Sequence, residues 1–257
     1  MHPRSSKPGG SGASPGTRAD RRGVGRRIAL GALAAALALT AAAPAIATGP
    51  RQGRTVTPPR QERTLVAEKK GGRFKTVRKT FASDEAIAIA DDTVAVPYPA
   101  TITVRGFKKK PRISDVNVTL RDFNHEFPLD VDVMLVAPNG RNAVVMSAVG
   151  GNIADATVVN LTLELDDEAA AVLPEDAKLT SGSFRPLDAE DNPSDNFPAP
   201  APAFGGADTL AAFDGINPNG QWRLFVLDEG AEDDGLIADG WELEVTAKSK
   251  VKGKKKR

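Results

Sequence analysis

The sequence predicts an all-β sandwich, on three observations. From Phe81 onward, short apolar runs alternate with clusters of Gly, Pro, Asn and Asp, the spacing of strands and turns. Within the runs the apolar residues recur at period two, as in Val116, Val118 and Leu120 around polar Asn117 and Thr119, or Trp241, Leu243 and Val245. No segment sustains a 3.6-residue period, so residues 167–173 have room for a short helical turn at most.

Taken in order, the chain begins with five arginines between positions 18 and 27, an uncharged run at 28–43, and the small-x-small site Ala45-Ile46-Ala47. This is the tripartite pattern of a secretory signal, which predicts that 1–47 is removed on export, by the general or the twin-arginine route. The run is too short to span a bilayer comfortably. Residues 48–80 mix Pro, Gly, Gln and basic residues without periodicity and read as a basic flexible linker. Strands are expected at 101–104, 115–120, 131–136, 143–149, 158–165, 222–227 and 241–245. Pro138-Asn139-Gly140 reads as a hairpin turn, and Lys108-Lys109-Lys110-Pro111 as a loop tip. Residues 248–257 form a basic tail.

The folded part, 81–247, has about 165 residues, enough for one well-buried core. With no cysteine among the 257 residues, disulfide and thiolate chemistry are excluded. The net charge of +1 hides a partition. Residues 81–247 carry 30 Asp and Glu against 10 Lys and Arg, whereas 48–80 carry 10 basic and 2 acidic residues and the tail 7 basic and none acidic.

Several segments resemble, in order, the P domain (P/Homo B domain) that follows the catalytic domain of kexin- and furin-like proprotein convertases and of many secreted bacterial proteases. His125 with Asp130 to Gly140 is similar to the family's H-x4-D-L-x-I-x-L-x-S-P-x-G segment, with Val131 in place of Leu and Ala137 in place of Ser. Leu165 to Ala169 resembles F-D-D-E-A, Gly182 to Pro186 resembles G-x-F-x-P, and Phe81 to Val104 resembles the first strand region. The stretch Trp222 to Asp228, the acidic turn Asp233-Asp234-Gly235 and Trp241 to Val245 resemble the family's end. The resemblance covers roughly residues 81–246 and implies a jelly-roll-like β-sandwich, frequent calcium binding and a role in supporting a protease. No catalytic domain accompanies it in this chain.

The residues themselves argue against hydrolysis. A subtilisin-type triad needs a histidine base, and the chain has only His2, inside the expected signal, and His125, inside the P-domain-like segment. His125 reads as a locally hydrogen-bonded turn or edge-strand residue; as a transition-metal ligand it would lack a second histidine. The carboxylates suggest a hard cation instead. Asp130 and Asp132 lie two apart on an expected strand and so on one face. Asp166 and Asp167 close another strand and Asp228 a third, so these five are the candidate ligands of a Ca2+ ion, which takes six to eight oxygens. Trp222 and Trp241 fit core packing better than sugar platforms, the feature a carbohydrate-binding sandwich would need. The basic ends suit a cell-wall polyanion, but with no interleaved aromatic they lack base-stacking groups for nucleic acid. The expected function is therefore a secreted, non-catalytic module that binds an extracellular protein, a protease under the resemblance. The alternative is a separately encoded accessory part of a subtilisin-like protease system.

Overall fold

The computed structural model describes residues 63–65, 74–189 and 197–250. The expected signal 1–47, the rest of the expected linker up to residue 73, and residues 251–257 lie outside them. The strands are β1 (Arg63–Leu65), β2 (Phe74–Ser83), β3 (Ile87–Ile89), β4 (Ala100–Val104), β5 (Arg112–His125), β6 (Val131–Val136), β7 (Asn142–Ser147), β8 (Val158–Leu165), β9 (Ala171–Val172), β10 (Gly182–Arg185), β11 (Leu187–Asp188), β12 (Gly220–Asp228), β13 (Gly235–Ile237) and β14 (Trp241–Lys250). They form a jelly-roll-like sandwich. One sheet runs β1-β2-β14-β5-β8-β10-β9, with β13 bridging β5 and β3. The other runs β11-β7-β6-β12-β4.

The period-two residues do what their spacing requires. Val116, Val118 and Leu120 of β5, Leu243 and Val245 of β14, and Trp222, Leu224 and Val226 of β12 meet between the sheets in one buried cluster. Both tryptophans are fully buried, so neither is exposed as a sugar platform. The hairpin at Pro138-Asn139-Gly140 joins the antiparallel pair β6 and β7, and Gly140 takes the left-handed φ of +89° that glycine adopts freely.

Two expectations need correction. First, β6, β7 and β12 bury both faces. Their outer residues Met134, Val136, Val144, Phe225 and Leu227 form a second cluster, closed by Phe197 and flanked by Tyr98 and Phe204. A long irregular segment supplies this cover. Second, the sandwich begins before residue 81. β2 starts at Phe74 and pairs residue by residue with β14 as far as Lys250, and β1 precedes it, so ten described residues of the expected linker and three of the expected tail are strand. Their charges hid an alternation, in which Val77 and Phe81 pack on the core while Arg78 stays exposed. Residues 166–169 form a single turn closed by the Ala169 amide donating to the Asp166 carbonyl at 3.0 Å, within the limit expected there, and short 3-10 turns occur at Pro128–Asp130 and Leu210–Phe213. Among the described residues no helix is long and apolar enough to cross a membrane.

Candidate functional site

Four of the five carboxylates expected from the sequence fall in or beside two groups at strand ends, and Asp132 lies elsewhere. The first group surrounds His125, the last residue of β5. Its ring is buried and stacks nearly parallel to Phe123 at 6.3 Å. The Phe127 amide donates to Nδ1 at 3.1 Å, which leaves the proton on Nε2, facing Asp228 Oδ2 at 3.0 Å. The other oxygen, Asp228 Oδ1, accepts the Gly230 amide at 2.9 Å. Asp233 Oδ1 lies 3.5 Å from Nδ1, and Asp91 Oδ1 accepts the amides of Glu232 and Asp233. Two glycines make the fit possible: a Cβ at Gly235 would overlap the His125 ring, and one at Gly230 would overlap the Asp130 carboxylate.

Burial raises the pKa of Asp228, and that of Asp130 too, where the Asp228 charge adds to the effect. Asp233 is pushed up to about 6, by burial first and the Asp228 charge second. Its folded pKa lies above the ordinary value of 3.8, so the native state binds the extra proton. Stability from this group is then full below about pH 4 and lost as pH rises through about 6. Between pH 7 and pH 5 the wild type should therefore gain stability relative to Asp233→Asn, read as the difference in urea midpoint at the two pH values. Equal shifts in both proteins would rule out the raised pKa.

Chemically this group is a clamp. Both ring nitrogens of His125 and both oxygens of Asp228 are already engaged. A general base needs a free lone pair within reach of a substrate proton, and the Phe127 amide occupies the one on Nδ1.

The second group joins β5 to the segment after β8. Asp115, Asp166 and Glu168 each offer a carboxylate oxygen, all within 4.8 Å of one another. Beside them is a cavity of about 30 Å³, lined by Ser114, Asp115, Asp167, Glu168 and Asp214 among others. Asp166 Oδ1 accepts the Glu168 amide at 2.9 Å. A hydrogen bond to Asp166 is the first cause of the raised Glu168 pKa. Burial, then the Asp166 charge, raises Asp115, while Arg78 opposes the rise. Oxygens held this close repel one another, and a set of oxygens alone suits a hard cation. Asp167 stands next to the group with another task. Its two oxygens accept the amides of Leu210 and Ala211 at 3.0 and 2.7 Å, holding the turn Leu210–Phe213.

Of the five carboxylates expected from the sequence, the structure thus brings Asp130 and Asp228 to the His125 group and Asp166 to the second, with Asp167 beside it. Asp132 joins neither. It is buried in β6 opposite Leu227, whereas Asp130 ends the preceding 3-10 turn, so the two do not share a strand face. Sequence reasoning missed Asp115, Glu168, Asp91 and Asp233 as members. Asp115 had the signal of an ordinary half-buried strand position, and only the pairing of β5 with β8 sets it beside Asp166.

No family model matches the chain, and neither does any curated protein. Among solved structures the chain is similar to a serine protease of Aeromonas sobria, at 14% identity over 70% of this chain and 28% of that one, with a TM-score of 0.32. It is similar also to that protease in complex with its chaperone ORF2, at 14% identity over 67% and 27% of the two chains, with a TM-score of 0.34. The chain thus spans little more than a quarter of these structures' length. A likeness at this level assigns no activity to this chain.

Proposed function

We propose that the chain is a secreted, non-catalytic β-sandwich module that binds a protein outside the cell, in the role of a protease-stabilising accessory domain. The observation that carries the non-catalytic half is the state of His125. It is the one histidine outside the expected signal segment, and both its ring nitrogens are spent on Phe127 and Asp228. The partner half rests on the ordered P-domain-like segments of the sequence. In this reading Asp115, Asp166 and Glu168 hold a calcium ion, whose charge offsets their repulsion and ties β5 to the segment after β8.

The purified chain should release no peptides from casein and should recover a subtilisin-like protease from culture supernatant. Cleavage abolished by His125→Ala would overturn the non-catalytic reading, and recovery of wall material in place of any protease would overturn the accessory role. Calcium should raise the melting temperature. A ligand bound only by the folded state adds about 2.7 kcal/mol at a hundredfold excess over Kd. Magnesium at equal ionic strength should do less, because it sheds water reluctantly and demands octahedral geometry. Asp166→Asn should lose the response and Asp130→Asn should keep it. Coinciding calcium and magnesium curves would remove the ion from this account.

A further inference from the structure

We propose that one pole of the sandwich is a binding site for a polymer carrying repeated phosphate or sulfate oxyanions, seated on a lysine-rimmed cavity that is separate from both carboxylate groups. The cavity has a volume of about 220 Å³. Three distant chain segments build it: the start of β2, the loop between β4 and β5, and the end of β14. Lys75, Lys108, Lys109 and Lys250 rim it over an apolar floor of Val77 and Phe107, and no carboxylate is among its described lining residues.

The surroundings are positive as well. Lys79 is buried with its ammonium 5.5 Å from the Phe107 ring centroid. Burial, and then the charge of Lys108, lowers its pKa. Lys248 of β14 lies directly opposite Arg112 of β5, and like charges so opposed are destabilising unless an anion relieves them. Lys109 and Lys110 both hold left-handed backbone, at φ 64° and 56°, which lysine rarely adopts. Of the 10 basic residues in 81–247, five fall within 105–112: Arg105, Lys108, Lys109, Lys110 and Arg112. The rest of that range is strongly acidic, so an approaching polyanion is repelled elsewhere and steered here.

Chain connectivity argues for a polymer over a lone anion. Phe74 pairs with Lys250, so residues 66–73 and 251–257 join the sandwich at this pole. Residues 66–73 carry three basic residues and one acidic residue, and 251–257 five basic and none acidic. Positive charge therefore continues in sequence beyond the cavity on both sides. Apart from the arginines, the charges are lysines, which are compact with rotatable donors. Such groups grip successive oxyanions without the fixed planar geometry an arginine fork imposes.

The test titrates the full chain with long-chain polyphosphate, dextran sulfate and polyglutamate over a range of salt. The double variant Lys108→Glu, Lys109→Glu changes exposed loop positions, and its melting curve checks folding. It should weaken binding to the preferred oxyanion polymer by about tenfold and flatten the dependence of log Kd on log salt by about one to two contacts' worth. Lys178→Glu, at an exposed lysine paired with Asp155, should bind as the wild type does. Removing 251–257 should weaken binding less than the loop variant. Tighter binding of either oxyanion polymer than of polyglutamate supports the proposal, and the tighter of the two identifies the oxyanion. The proposal is overturned if the loop variant binds like Lys178→Glu, if removing 251–257 alone abolishes binding, or if polyglutamate binds as tightly, which would indicate an acidic protein segment instead.

Discussion

Replacing Trp222 by alanine is expected to destabilise the domain by about 3–5 kcal/mol, the range for large-to-small changes in a core. The side chain is fully buried between the sheets. It packs edge-on against Phe213 at 5.1 Å, and its indole N–H donates to the Pro218 carbonyl at 2.9 Å. Trp241→Ala should fall in the same range for the same burial. The two positions separate when phenylalanine is substituted. Trp222→Phe strips a buried carbonyl of its donor, a loss of about 1–3 kcal/mol beyond the change in packing. Trp241 Nε1 is buried without a hydrogen-bond partner, so Trp241→Phe removes a group that was itself unfavourable and should be milder. Urea denaturation of the four variants checks the order. A loss under about 1 kcal/mol on truncating either tryptophan to alanine would contradict its burial in a close-packed core.

Asp228→Ala is expected to cost about 2–6 kcal/mol, because it strands one buried and one half-buried donor at about 1–3 kcal/mol each. These are the Nε2–H of His125 and the amide of Gly230. Asp228→Asn should cost about half as much. Its one carbonyl oxygen can satisfy either donor, and its amide then faces the other. His125 cannot relieve this by shifting its proton to Nδ1, since the Phe127 amide needs that lone pair. A double-mutant cycle with His125→Phe isolates the pair term. Additive losses would mean that the two side chains stabilise the fold independently, contrary to the clamp described above.

The strands at 131–136 and 158–165 were legible to the residue, because continuous or alternating apolar runs bounded by turn residues have few other solutions. β2 was not. Phe74-Lys75-Thr76-Val77-Arg78-Lys79 lacks the composition of a strand, and what makes it one is ten residues of pairing with β14, which the chain reaches 158 residues later. Short strands such as β9 and β11 were invisible for the same reason. Two residues carry no period, and a neighbouring strand decides whether they pair. The second burial layer over β12 was hidden because Phe197 and Phe204 sit in a Pro- and Ala-rich segment with no regular pattern.

From its residues alone, the chain is bound to be an all-β, cysteine-free domain with an acidic middle and basic ends, and its two tryptophans are bound to the core, since alternation and composition are local properties. Which charges meet is not local. His125 and Asp228 are 103 positions apart, yet the ends of β5 and β12 bring them to 3.0 Å. Asp130 and Asp132, two apart, go to different surroundings because one turn of 3-10 helix ends between them. The same holds for the basic pole. The sequence shows a lysine loop and two basic ends, but only the antiparallel register of β2 with β14 sets Lys75 at the start of one beside Lys250 at the end of the other. Coulomb interactions follow distance in space, and the sheet pairing sets that distance.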